Sequence, residues 1–131
     1  MNTGPTAERE IVLVVDDEPT VRRIARRALL EDGFEVIEAA DGAEALDLVV
    51  GSTGRLGVVV SDIVMPKLNG VQLLQRLSIT HPELPVILMS GYAGPELAAR
   101  GIQAPCSLLA KPFKPEELVA EVRRCIRSQP T

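Results

Sequence analysis

Short apolar runs alternate along this chain with longer stretches whose apolar residues recur every three or four positions. IVLVV (11–15) is apolar throughout, the pattern of a strand buried on both faces. PTVRRIARRALLEDG (19–33) follows, with Val21, Ile24, Ala25, Ala28 and Leu29 at helical spacing. Pro19 suits a first helical turn and Gly33 a helix stop. FEVIEA (34–39) alternates and predicts a half-exposed strand, after which Asp41-Gly42 opens a helix over AEALDLVV (43–50). GSTGRLG (51–57) is rich in turn formers and predicts a loop. VVVS (58–61) predicts the third strand, ending at Asp62; MPKLNG (65–70) a turn; and VQLLQRLSI (71–79) the third helix. PVILMS (85–90) is the fourth strand, GYAG (91–94) a loop and PELAARG (95–101) a short fourth helix. SLLA (107–110) is the fifth strand and KPEELVAEVRRCIRS (114–128) the last helix. Residues 1 to about 9 and 129–131 carry no such pattern and are expected to be unstructured.

Strands alternating with helices predict an α/β fold with a parallel sheet, helices on both faces and right-handed crossovers. The doubly wound, flavodoxin-like order 2-1-3-4-5 fits, because the first and third strands read as central and the second as an edge. No repeat or linker divides the sequence, so 1–131 is expected to be one domain with a core over about 10–128.

Composition narrows the function classes. Hydrophobic residues make up 46% and charged residues 24%, a globular rather than a disordered balance. The net charge of -4 gives no overall attraction for nucleic acid, and no aromatic platform for single strands is visible. No apolar stretch approaches the roughly 20 residues of a membrane helix, and residues 1–10 lack the apolar centre of a secretory signal. Cys106 and Cys125 are too far apart in sequence for a C-x-x-C motif. They are expected to be free thiols of a cytoplasmic protein. His81, in THPELP, has no second ligand at metal-binding spacing.

The polar residues fall where the strands end. Asp16 and Asp17 follow the first strand, Asp62 the third, Ser90 the fourth and Lys111 the fifth. In a parallel sheet these ends share one edge, and ligands bind outside it where the strand order reverses, between strands 1 and 3. Adjacent like charges at the mouth of a buried strand call for a cation. Clustered carboxylates with a ligand phosphate are how Mg²⁺ is usually held. An aspartate can accept a phosphoryl group, and a lysine and a hydroxyl can bind its oxygens. The set points to Mg²⁺-assisted phosphoryl transfer to an Asp.

VVDDEP, SDIVMP followed by NG, LMSGYA and AKPF occur in that order and at separations that together are highly specific. On these motifs the chain, from about Ile11 to Arg127, resembles the receiver domain of two-component response regulators. MSGYAGPE is similar in particular to receivers of hybrid histidine kinases, from which this chain would be excised if it is not free-standing. The resemblance implies that Asp62 is the phosphoacceptor and that Asp17 ligates Mg²⁺ directly. Asp16 would act mainly through water, and the Val64 backbone carbonyl would be a further ligand. It makes Ser90 the switch hydroxyl, Lys111 the phosphoryl contact and Lys111–Pro112 a cis peptide. The partner would be a histidine kinase or histidine phosphotransfer domain. The output would be a changed face of the fourth helix, fifth strand and last helix. Such a domain phosphorylates and dephosphorylates itself without turning over an outside substrate.

Departures from the family pattern carry their own expectations. Leu108 stands where many members have an aromatic switch residue, so the loop and helix at 91–101 are expected to carry more of the output. Val64 and Tyr92 occupy the positions that tune access of hydrolytic water, and neither orients water easily, so dephosphorylation is expected to be slow to moderate. Gly91 leaves Asp62 open to a small phosphodonor. Arg22, Arg23, Arg26 and Arg27 on the first helix are either a solvated face or a docking face for the donor domain. Three other classes fit the residues less well. A pseudo-receiver that binds partners without phosphorylation would have lost an acid or the lysine, and neither is lost. A haloacid-dehalogenase-type phosphatase needs D-x-D, but Glu18 stands two residues after Asp16. A dinucleotide-binding domain needs a G-x-G-x-x-G that is absent after the first strand.

Overall fold

The computed structural model describes residues 10–52, 55–65, 67–90 and 105–127. The predicted helix at 95–101, Gly91, Tyr92 and both predicted tails lie outside these residues. Within them the chain runs β1 (Ile11–Val15), α1 (Pro19–Glu31), β2 (Glu35–Ala39), α2 (Gly42–Gly51), β3 (Leu56–Asp62), α3 (Gly70–Thr80), β4 (Val86–Ser90), β5 (Ser107–Ala110) and α4 (Pro115–Arg127). The strands form one parallel sheet in the order β2-β1-β3-β4-β5, as the pattern predicts.

Successive side chains of a strand point to opposite faces, and this sheet has a core on each. Leu13, Val15, Val59 and Leu88 pack under α2 and α3, against Ala45, Val49, Val71, Leu74 and Leu77. Val12, Val14, Val60, Ile87 and Met89 pack on the other face under α1 and α4, against Ala25, Leu29, Leu118 and Val122. The uninterrupted apolar character of β1 follows from this double burial: all five residues are buried.

Local chemistry sets the helix ends. Pro19 begins α1, and Gly33, at φ +94°, turns the chain out of it in a conformation that favours glycine. The Asp41 carboxylate caps α2 by accepting from the Glu44 amide at 2.8 Å. Asn69 and Gln72 close a reciprocal capping box on α3, each side chain accepting from the other's backbone N–H. The Gly70 amide at the start of α3 donates to the Ile63 carbonyl, just past β3, at 2.9 Å.

Two expectations are corrected. The third strand begins at Leu56, not at residue 58: Ile11 pairs with Leu56 and Val12 with Val58, so Gly57 sits in a bulge that carries the ladder into the predicted loop. Cys106 and Cys125 are not free thiols but a disulfide. Packing of α4 beside β5 brings their Cα atoms to 6.1 Å, within disulfide reach, although they are 19 apart in sequence. The thiol argument for a reducing compartment therefore falls away. Among the described residues no helix is long and apolar enough to cross a membrane.

Candidate functional site

The carboxyl ends of β1, β3, β4 and β5 meet on one edge of the sheet. Backbone bonds tie neighbouring ends: the Asp16 amide donates to the Ala39 carbonyl of β2 at 3.1 Å, the Ile63 amide to the Met89 carbonyl of β4 at 3.1 Å, and the Lys111 amide to the Ser90 carbonyl of β4 at 2.9 Å. Carboxylate oxygens of Asp16, Asp17 and Asp62 all lie within 4.8 Å of one another. Asp16 is fully buried, Asp62 nearly so and Asp17 exposed. These acids come from two separate strands, and the β1–β3 neighbourhood brings them together as the strand order predicts.

Lys111 closes the cluster from β5. Its Nζ donates to Asp16 Oδ2 at 2.9 Å, lies 3.3 Å from Asp62 Oδ1, and is 3.8 Å from Glu18 Oε1. The Lys111–Pro112 peptide is cis, as expected. Asp16 is further held by the Glu18 amide, which donates to its Oδ1 at 2.9 Å.

The electrostatics follow from this crowding. Burial raises the Asp62 carboxyl above the usual range; the neighbouring Asp16 and Asp17 charges add to the rise, and Lys111 offsets only part of it. Burial pulls the Lys111 ammonium down, but its bonds to Asp16 and Asp62 outweigh that and leave it raised and charged. Three carboxylates thus share one ammonium, with Glu18 at its rim. This donor set is all oxygen, partly open and short of positive charge, which suits a hard divalent cation such as Mg²⁺. Asp17 and Asp62 are the residues that would hold it, with Asp16 behind them.

The remaining sequence-derived residues are placed less centrally. Val64 is 76% exposed beside Asp62, with its side chain outward. Ser90 is half-buried at the end of β4. Leu108 is 43% exposed on β5, so no ring stands at that position. The four arginines of α1 do not form one face. Arg22 turns inward, its Nη1 donating to the Asp16 carbonyl at 2.6 Å and its Nε to Glu38 at 3.2 Å. Arg26 also pairs with Glu38, at 3.5 Å, and Arg27 with Glu31 at 3.3 Å, while Arg23 is exposed.

Two site residues escaped the sequence: Glu18 as a third partner of Lys111, and Arg22 as a partner of the acidic loop. Helical spacing held a signal for the second. Positions 22 and 26 share one stripe of α1 and positions 23 and 27 another, so spacing alone divides the cluster in two.

Comparison with known proteins agrees with the fold. The family model for the response regulator receiver domain matches residues 12–123. The chain therefore belongs to the receiver domains of two-component systems, which occur in response regulators and hybrid kinases. Among individual relatives, it is 41% identical over 120 residues to the sensor kinase CckA of Brucella abortus (strain 2308), covering 90% of this chain and 13% of that kinase. It is 38% identical over 117 residues to the response regulator MprA of Mycobacterium sp. (strain KMS), covering 88% of this chain and 50% of the regulator. It thus spans half or less of these curated relatives. The crystal structure of the receiver domain of the hybrid histidine kinase CckA superposes with a TM-score of 0.74 at 34% identity, covering 88% of this chain and 98% of that one. A receiver domain protein from Clostridium thermocellum superposes with a TM-score of 0.81 at 27% identity, covering 90% and 94%.

Proposed function

We propose that the chain is a phosphoacceptor: Asp62 takes a phosphoryl group from a phosphohistidine on a histidine kinase or histidine phosphotransfer domain. The observation that carries this reading is Lys111 Nζ lying 3.3 Å from Asp62 Oδ1 at the head of a three-carboxylate cluster. An Asp62 oxygen attacks phosphorus, the P–N bond to the donor imidazole breaks, and the imidazole nitrogen keeps the electron pair and takes up a proton. Lys111 moves from bridging Asp16 and Asp62 to neutralising a phosphoryl oxygen, and the Ser90 hydroxyl binds another. Mg²⁺, when bound, supplies charge neutralisation for the same oxygens and for the acids. Asp17, Asp62 and the Val64 carbonyl would bind it directly and Asp16 through water.

Val21, Ile24, Pro112 and Phe113 line an apolar depression beside Lys111. The donor domain seats there. The output passes to the face that includes β5 and α4, without turnover of an outside substrate. Val64 carries no carboxylate or amide to orient a hydrolytic water, which favours slow to moderate loss of the phosphoryl group.

The test is an intact mass taken promptly after incubation with acetyl phosphate and Mg²⁺, beside an Asp62→Asn variant. One Mg²⁺-dependent phosphoryl adduct, absent from the variant, is expected. No adduct together with no beryllofluoride binding would leave a partner-binding module without phosphorylation.

A further inference from the structure

Arg22 joins three elements at the end of β1. Its side chain is 19% exposed. It rises from the first turn of α1, donates to the Asp16 carbonyl at 2.6 Å and pairs at 3.2 Å with Glu38, the β2 residue in register with Val14. The Asp16 carbonyl belongs to the planar peptide that also contains the Asp17 nitrogen. Fixing that oxygen fixes the plane from which the Asp17 side chain departs. Asp16 has further restraints, from Lys111 and the Glu18 amide. Asp17 has none of that kind: among the described residues nothing hydrogen-bonds or pairs with its carboxylate. Its direction toward Asp62 depends on the backbone beneath it, and Arg22 grips that backbone.

We propose that Arg22 is a positioning residue that holds the Asp16–Asp17 peptide so that Asp17 faces Asp62, and thereby strengthens divalent-cation binding at the acidic cluster. The proposal rests on the cation reading above. A sign separates positioning from plain charge. As a bare cation near the acids, Arg22 would repel a metal ion, and its removal would tighten binding. As the clamp on the Asp17 backbone, its removal weakens binding. Loss of groups that orient metal ligands typically costs tenfold or more in affinity. Arg23 supplies the control, since it carries the same charge one residue on and is exposed rather than turned into the loop.

The experiment titrates wild type, Arg22→Gln and Arg23→Gln with Mn²⁺, following free Mn²⁺ by electron paramagnetic resonance, with Mg²⁺ as competitor. Each chain is melted alongside to confirm that it is folded. About tenfold weaker binding by Arg22→Gln is expected, with Arg23→Gln unchanged or slightly tighter. Binding by Arg22→Gln as strong as by Arg23→Gln, where the wild type binds, would overturn the positioning role and leave the cation reading intact. No binding by the wild type would overturn both. If Arg22→Gln does not fold, Arg22→Lys carries the test. One ammonium cannot reproduce the two-armed grip, so binding weaker than wild type is expected, and equal binding would overturn the proposal.

Discussion

As the proposed phosphoacceptor, Asp62 faces two demands that oppose each other. A nucleophilic carboxylate must be ionised, yet burial and two like charges disfavour ionisation there. Its folded pKa lies above its unfolded one, so the charge costs stability that appears as pH rises through the carboxylate range. Asp62→Asn is therefore expected to melt at a higher temperature than wild type in cation-free buffer at neutral pH. The gap should close as pH falls into that range, and calorimetric scans across pH would check it. Lys111→Met should slow adduct formation from acetyl phosphate by about a hundredfold, the scale for losing one donor to developing anionic charge; timed mass spectra would show it. Gly70 is constrained differently. A Cβ there would collide with the Asp62 carbonyl and the Ile63 backbone. Gly70→Ala should cost about 1 to 3 kcal/mol in denaturant unfolding and, on the proposed phosphoacceptor role of Asp62, slow phosphorylation as well, because the strain falls on the Asp62 backbone. Asp16, Asp17, Asp62 and Lys111 were legible in the sequence because each lies within two residues of the end of an apolar run. Arg22 was not, because its role depends on a helix curling back over the strand it follows.

At the scale of elements, the contacts of β5 with α4 hold what sequence patterns could not show. Ser107 donates to Glu121 at 2.6 Å, Arg124 Nη2 donates to the Cys106 carbonyl at 3.0 Å, and the disulfide joins the same two elements. Each of these joins residues well separated in sequence, and periodicity speaks only of neighbours. The Ser107 hydroxyl and then Arg124 lower the Glu121 carboxyl below its ordinary value. Its folded pKa is the lower one, so its contribution is present above the unfolded value and lost as pH falls through the folded one. Glu121→Gln should thus be less stable than wild type at neutral pH and match it in acid. Chemical denaturation at several pH values would measure this, and solvent screening keeps the effect small. Closing a loop of this length is worth about 3 kcal/mol, so reduction should lower the denaturation midpoint markedly. A reduced chain as stable as the oxidised one would mean the bond adds nothing to the fold.

Across the whole molecule, one sheet serves two cores. Leu88 lies in the core under α2 and α3, and Leu118 in the one under α1 and α4. Truncating either to Ala should cost about 2 to 5 kcal/mol. Both variants should still unfold in a single transition, because neither core exists without the shared strands; coincident methyl resonance and circular dichroism transitions would show it. Apolar density marked the first and third strands as central and the second as an edge, but the full order was a choice among those that fit, made on the doubly wound pattern, and pairing between strands distant in sequence is what settles it. The bulge at Gly57 was not, because a glycine among turn formers looks like loop until its pairing partner is known. The disulfide has one more consequence. From Cys106 to Cys125 the chain is a closed covalent ring that holds Lys111, the last strand and most of the last helix. A protease that cuts after the exposed Glu116 or Glu117 would open the ring without releasing a fragment, and the nick would stay silent on a gel until a reductant is added.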